Sequence, residues 1–147
     1  MNIIEGNLIE LAKDGKFDVI IHGCNCFNVM GAGIAKQIKT SFPEAYQADL
    51  ETKKGDDKKL GTYTSANVNN LTIVNAYTQY NYGLGQRNVD YNAVRKIFRQ
   101  IKHNFRDKRI AYPKIGAGLG GGNWKTIKSI IEEELENTNH TLVIYNK

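Results

Sequence analysis

A three-layer α/β domain with a mixed sheet is the fold class this sequence predicts, and three observations predict it. Strand patterns alternate with helical ones along most of the chain, which builds a sheet with helices packed on it. The run Asp18-Val19-Ile20-Ile21-His22-Gly23 is apolar at both parities, as a strand covered on both faces must be. Two neighbouring strand patterns, residues 61–67 and 71–77, flank an asparagine-rich turn at residues 67–70. That hairpin brings an antiparallel pair into the sheet.

The elements follow in order. Asn2 to Glu5 reads as a short strand, ended by Gly6-Asn7-Leu8, and Leu8 to Lys13 as one or two helical turns before Asp14-Gly15. After the central strand, Cys24 to Val29 leads into a glycine turn, Met30-Gly31-Ala32-Gly33. Ile34, Ala35, Ile38 and Phe42 then lie at helical spacing, and Pro43 stops that helix and opens another. Residues 53–59 form a mixed-charge stretch expected to be an exposed loop without function. Beyond the hairpin, residues 78–88 are irregular and aromatic, with Tyr80, Tyr82 and Arg87. Val94, Ile97, Phe98, Ile101 and Phe105 mark an amphipathic helix. Arg109 to Tyr112 reads as a buried strand, Trp124 to Leu135 as the last long helix and Thr141 to Tyr145 as the last strand. No repeat, low-complexity tract or linker divides the chain, so residues 1–147 are expected to form a single domain.

Composition narrows the function classes. The 41% hydrophobic and 24% charged fractions are ordinary for a globular protein. No apolar run approaches the roughly 20 residues of a membrane span, and the first residues lack a secretory pattern. Cys24 and Cys26 are too close to staple the fold and suit a reducing compartment, so a cytoplasmic location is expected. The net charge of +5 favours anionic partners. Arg95, Lys96, Arg99, Lys102, Arg106, Lys108 and Arg109 cluster, either as a phosphate-facing stripe or as the solvated face of a helix. The solvated face is the simpler reading, so nucleic acid is a possible partner that is not favoured. Three histidines and two cysteines show no metal-ligand spacing, and no metal or cofactor is expected.

The stretch from Ile115 to Gly122 holds five glycines and sits between a strand and a helix. Such a loop aims backbone N–H groups at an anion over a helix N-terminus. Gly116, Gly118 and Gly121 satisfy G-x-G-x-x-G, yet a dinucleotide fingerprint belongs near the start of a βαβ unit with an acidic residue ending the next strand. Here about one helix and one strand follow. A Walker loop fails as well, because Lys125-Thr126 follows Trp124 and not a glycine. The turn at residues 30–33 is also placed between strand and helix. Two such loops at one sheet edge can clasp a diphosphate at the carboxyl ends of the strands.

The sequence resembles the macrodomains, which bind ADP-ribose. Gly6-Asn7-Leu8 looks like the family's adenine-side turn. His22-Gly23-Cys24-Asn25-Cys26 with Met30-Gly31-Ala32-Gly33-Ile34-Ala35 is similar to its ribose and diphosphate segment. Pro113-Lys114-Ile115-Gly116-Ala117-Gly118-Leu119-Gly120-Gly121 with Trp124 is similar to its second phosphate loop. The resemblance implies an α/β/α sandwich with about six strands and ADP-ribose along the sheet crest, in contact with these three segments. It is nearest to the small stand-alone branch, which includes ADP-ribose-1''-phosphate phosphatases and ADP-ribosyl-glutamate hydrolases. A monomer acting on ADP-ribose or ADP-ribose-1''-phosphate is expected.

Three residues are candidates for chemistry. Asn25 holds the family's distal-ribose position, where an amide can both donate and accept toward vicinal hydroxyls; its other reading is a turn asparagine. His22 shares a strand face with Ile20 and Cys24, which suits a core histidine, and phosphatase-type relatives carry histidine here, which suits a general acid or base. Asp90 either caps the helix that follows or supplies a carboxylate. His103 and a turn residue, His140, are expected to be incidental. Glycohydrolase relatives use a lysine after the hairpin and an aspartate in the second glycine loop. The nearest positions here are Gln79 and Gly120, which removes a lysine nucleophile and points to phosphatase or binder.

Overall fold

A computed structural model describes residues 1–83, 88–118 and 120–145. The expected ligand residue Leu119, and Arg87, lie outside the described residues. Six strands form one sheet: β1 (Asn2–Gly6), β2 (Val19–Cys24), β3 (Tyr63–Val68), β4 (Leu71–Tyr77), β5 (Ile110–Tyr112) and β6 (His140–Tyr145). Their order is β1-β6-β5-β2-β4-β3. The β3–β4 hairpin is antiparallel and every other pairing is parallel, so the sheet is mixed as expected. The helices are α1 (Leu8–Lys13), α2 (Gly33–Ser41), α3 (Pro43–Leu50), α4 (Tyr91–Phe105) and α5 (Trp124–Glu134).

Strand parity divides the core into two layers. Val19, Ile21, Val74 and Ala76 meet Val94, Ile97, Phe98, Ile127 and Ile131 of α4 and α5. Ile20, Ile73, Ala111 and Val143 face the other way, against Leu8, Ile38 and Phe42 of the α1–α3 side. Each fully buried aliphatic side chain of these layers contributes about 1.5–3 kcal/mol of transfer free energy. The doubly covered strand inferred from Asp18 to Gly23 is therefore β2, flanked by β5 and β4 at the middle of the sheet.

Two local expectations change. His140 begins β6 instead of sitting in a turn; it is buried, and its Nδ1 lies 2.7 Å from the Tyr112 hydroxyl. Residues 57–59 form a short 3-10 turn, and Lys59 at its end is buried, not exposed. The basic cluster is largely a solvated helix face. Arg95 lies 2.7 Å from Glu134 and 2.9 Å from Glu133, Arg99 lies 3.1 Å from Glu134, and Arg109 lies 2.9 Å from Asp18. These pairs link α4 to α5 and the residue just before β5 to the one just before β2, at the surface where solvent screens them.

Candidate functional site

The carboxyl ends of β2 and β5 open into a cavity of about 510 Å³, within the roughly 300–1,000 Å³ range of small-molecule sites. Both glycine loops line it: Gly31, Ala32, Gly33 and Ile34 from one, and Ile115, Gly116, Gly118 and Gly120 from the other. Gly23, Cys24 and Asn25 form its floor at the end of β2, and Gln79, Tyr82 and Gly83 close it beyond β4. Two loops separated by more than eighty residues in sequence thus share one wall. Their juxtaposition follows from the parallel pairing of β2 with β5.

The start of α2 at the cavity has the features that can receive an anion. Ala32, the N-cap residue of α2, makes no side-chain cap hydrogen bond, and no acidic residue occupies the first turn. Asn7, Asp90 and Asn123 cap α1, α4 and α5 with their side chains, whereas α3, which opens on Pro43, also lacks a side-chain cap. The first amides of α2 thus have no side-chain cap, and the helix dipole adds to the pull that such amides exert on negative charge.

Gly116 and Gly120 shape the opposite wall. Gly116 has φ 75°, a left-handed conformation that favours glycine. A Cβ at Gly120 would lie 2.8 Å from the Gly116 carbonyl oxygen and 3.0 Å from Gln79 Oε1. The loop is therefore folded tightly about residue 120, where a side chain would require a backbone shift.

Asn25 is both a turn residue and a cavity residue. Its Nδ2 donates to the Val29 carbonyl at 2.9 Å, and its Oδ1 accepts from the Phe27 N–H at 2.9 Å. An amide has two N–H bonds and two lone pairs, so these two hydrogen bonds use one of each on a residue that lines the cavity.

His22 and Asp90 are not among the described residues lining the cavity. His22 is 1% exposed, and its Nε2 lies 2.7 Å from Asn75 Oδ1 on the neighbouring strand. Burial lowers its pKa from 6.5 to about 4, with the Asn75 bond opposing, so the ring is neutral at pH 7. The structure places His22 in the sheet core, the alternative that its shared face with Ile20 suggests, and away from the described lining of the cavity. Asp90 caps α4, its Oδ1 accepting from the Ala93 N–H at 2.9 Å, as the capping alternative has it.

Further expected contacts also lie off the cavity. Asn7 Oδ1 accepts from the Glu10 N–H at 3.0 Å, and Leu8 behind it is buried, while Gly6 ends β1. Met30 is buried against the α1–α3 layer, which Ala35 also packs on, and Ala117 packs on the other layer. Gly121 turns the loop, its N–H donating to the Gly118 carbonyl at 3.1 Å. Burial raises the thiol pKa of Cys24 and, to about 11, of Cys26, so neither is a thiolate at neutral pH.

Pro113 and Lys114 of the second phosphate segment line the cavity, as does Tyr82 of the aromatic stretch. Val29, Gln79 and Gly83 line it without having been expected as contacts. Val29 lies just before the first glycine turn, so extending that segment by one residue would have found it. The isolated bridge between Gln79 and Val89 carries the 79–83 segment across the sheet end.

The family model for the macro domain matches residues 21–131, which includes most of β2, both glycine loops and most of α5. The chain belongs to the macrodomain family. A 17.5 kDa protein from the tk–vs intergenic region of Enterobacteria phage T4 is 36% identical over 138 residues, covering 88% of this macrodomain and 86% of the relative. A DNA ADP-ribosyl glycohydrolase of Thermus aquaticus is 28% identical over 142 residues, and the match spans 92% of this chain but 38% of that enzyme. The solved macrodomain of Thermus aquaticus DarG superposes with a TM-score of 0.74 at 24% identity, over 99% of this chain and 97% of that one. Thermosipho africanus DarTG, solved in complex with ADP-ribose, gives a TM-score of 0.74 at 17% identity, over 99% of this chain and 41% of that one. This macrodomain thus has the fold of those structures.

Proposed function

We propose that this macrodomain binds ADP-ribose along the cavity and hydrolyses the phosphomonoester of ADP-ribose-1''-phosphate. The observation that carries the reading is one cavity walled by both glycine loops and lined also by Asn25 and Gln79. The diphosphate would lie between the uncapped start of α2 and the amides around Gly116, and the distal ribose would meet the second donor and acceptor of Asn25. Macrodomain membership and the ADP-ribose complex of a structural relative support the ligand class.

Glutamine at 79 and glycine at 120 supply neither a nucleophilic amine nor a carboxylate, which favours phosphoryl transfer to water over cleavage of a glycosidic bond. Water attacks the phosphorus, the bond from phosphorus to O1'' breaks, and its electron pair stays on O1''. One proton of the water stays on the new phosphate hydroxyl, and the other passes by way of a phosphoryl oxygen to O1'' as ADP-ribose and phosphate separate. Such a reaction asks chiefly for positioning and charge stabilisation. Asn25 and Gln79 would orient water and ribose, and Lys114 would offset phosphoryl charge.

A second reading, hydrolysis of ADP-ribose from nucleic acid, is favoured by the name of the Thermus aquaticus relative. Tyr82, 51% exposed at the cavity rim and edge-on to Phe27, offers a face on which a base can stack. Phosphate release from ADP-ribose-1''-phosphate separates the two, run beside release of labelled ADP-ribose from a modified DNA strand. Wild type is expected to release phosphate, and Asn25→Ala to lower kcat/KM roughly 100-fold, the scale of losing an oriented polar contact in the transition state. Release from DNA alone would move the assignment to the second reading, and release from neither, with ADP-ribose still bound, would leave a binding module.

A further inference from the structure

The turn that presents Asn25 is itself held from below by a buried lysine. Lys59 is 8% exposed, although it ends a mixed-charge stretch. Its Nζ donates to the Asn28 Oδ1 at 2.7 Å and to the Cys26 carbonyl at 3.2 Å, and it lies 4.8 Å from the centre of the Tyr77 ring. Burial of an ammonium is costly unless its donors are used, and here they are used on the two residues that bracket Phe27 in the 25–29 turn. Nothing in the reaction described above employs Lys59.

The same turn is strained and over-tied. Asn28 has φ 59° and is one of few non-glycine residues in the left-handed region. Its Nδ2 donates to the Thr52 carbonyl at 3.2 Å, and the Gly55 N–H donates to the Cys26 carbonyl at 2.7 Å. Asn25 closes the turn internally through Phe27 and Val29. The rotamer of Asn25, and so the direction of its second N–H and lone pair, depends on where those two backbone groups lie. Those positions depend in turn on Cys26 and Asn28.

We infer that Lys59 is a positioning residue, which fixes the 25–29 turn so that Asn25 addresses the distal ribose of the ligand. The inference rests on the ADP-ribose reading. It also gives Lys59 a selective effect: the distal ribose should feel its loss, and the diphosphate, held by the α2 amides and the second glycine loop, should not.

Calorimetric titration with ADP-ribose and with ADP, which lacks the distal ribose, makes that distinction. Wild type is expected to prefer ADP-ribose. Lys59→Met keeps the aliphatic stem and removes both donors, and is expected to weaken ADP-ribose roughly ten-fold, the scale of one charge-assisted hydrogen bond, while ADP binding stays nearly unchanged. Asn28→Gly tests the same brace if Lys59→Met does not fold, because glycine accepts φ 59° and the Oδ1 acceptor is gone. It is expected to lose the same preference. Equal losses for both ligands, or no loss for either, would overturn the positioning role. A wild type that ignores ADP-ribose would instead overturn the functional reading, and the inference with it, before any variant is compared.

Discussion

At Gly116 the chain turns with φ 75°, and a Cβ there would stand 2.7 Å from Val89 Cγ2 and 3.2 Å from Ile127 Cδ1. Gly116→Ala therefore meets two penalties at once. The left-handed conformation costs about 1–3 kcal/mol, and the crowded methyl adds overpacking of similar size. A lower thermal midpoint and weaker ADP-ribose binding are expected together, since the loop must move; unchanged midpoint and affinity would show that Val89 yields freely. Glycine-rich spacing made this position legible in sequence. His22 was legible only halfway: parity gave its face, while its partner Asn75 lies 53 residues away and is brought alongside by the β2–β4 register. Lys59 was illegible, because a lysine among charges looks solvated until its acceptors at Cys26 and Asn28 are seen.

Helix α2 shows a trade between stability and ligand binding. Its Ala32 cap leaves the first amides without a side-chain partner. Ala32→Asp would supply one, and an added cap of this kind stabilises by about 0.5–2 kcal/mol. The same carboxylate would occupy the amides and repel a diphosphate. Chemical denaturation of the variant is expected to show higher stability, and titration to show weaker ADP-ribose binding. A gain in stability with full affinity would take α2 out of the phosphate site. At this scale most of the fold was readable, since period two and period 3.6 mark strands and helices locally. The 79–83 segment was not, because a bridge to Val89 and contacts with the Phe27 ring fix it, and neither has a local signature.

Across the whole molecule, stability is expected to depend on two buried histidines. Burial lowers His22 and His140 from 6.5 to about 4. The unfolded chain takes up those protons first, so stability is intact above pH 6.5, falls as pH drops, and the loss is complete near pH 4. Each histidine can account for at most about 3 kcal/mol across that window. Asp49 acts the other way, because burial raises its carboxyl and acidification relieves that cost. Asp18, which Arg109 holds near 2, matters only below 3.8. Thermal melts from pH 7.5 to 4 are expected to show a falling midpoint that His22→Gln with His140→Gln flattens. A flat profile in the wild type would contradict the buried, neutral rings.

The central claim is that one cleft clasps ADP-ribose between two glycine loops and delivers its distal ribose to Asn25. A crystal structure of the protein soaked with ADP-ribose tests it most directly. The diphosphate is expected within hydrogen-bond distance of amides at the start of α2 and around Gly116, with a distal hydroxyl on the Asn25 amide. A diphosphate elsewhere, or a distal ribose turned away from Asn25, would contradict it.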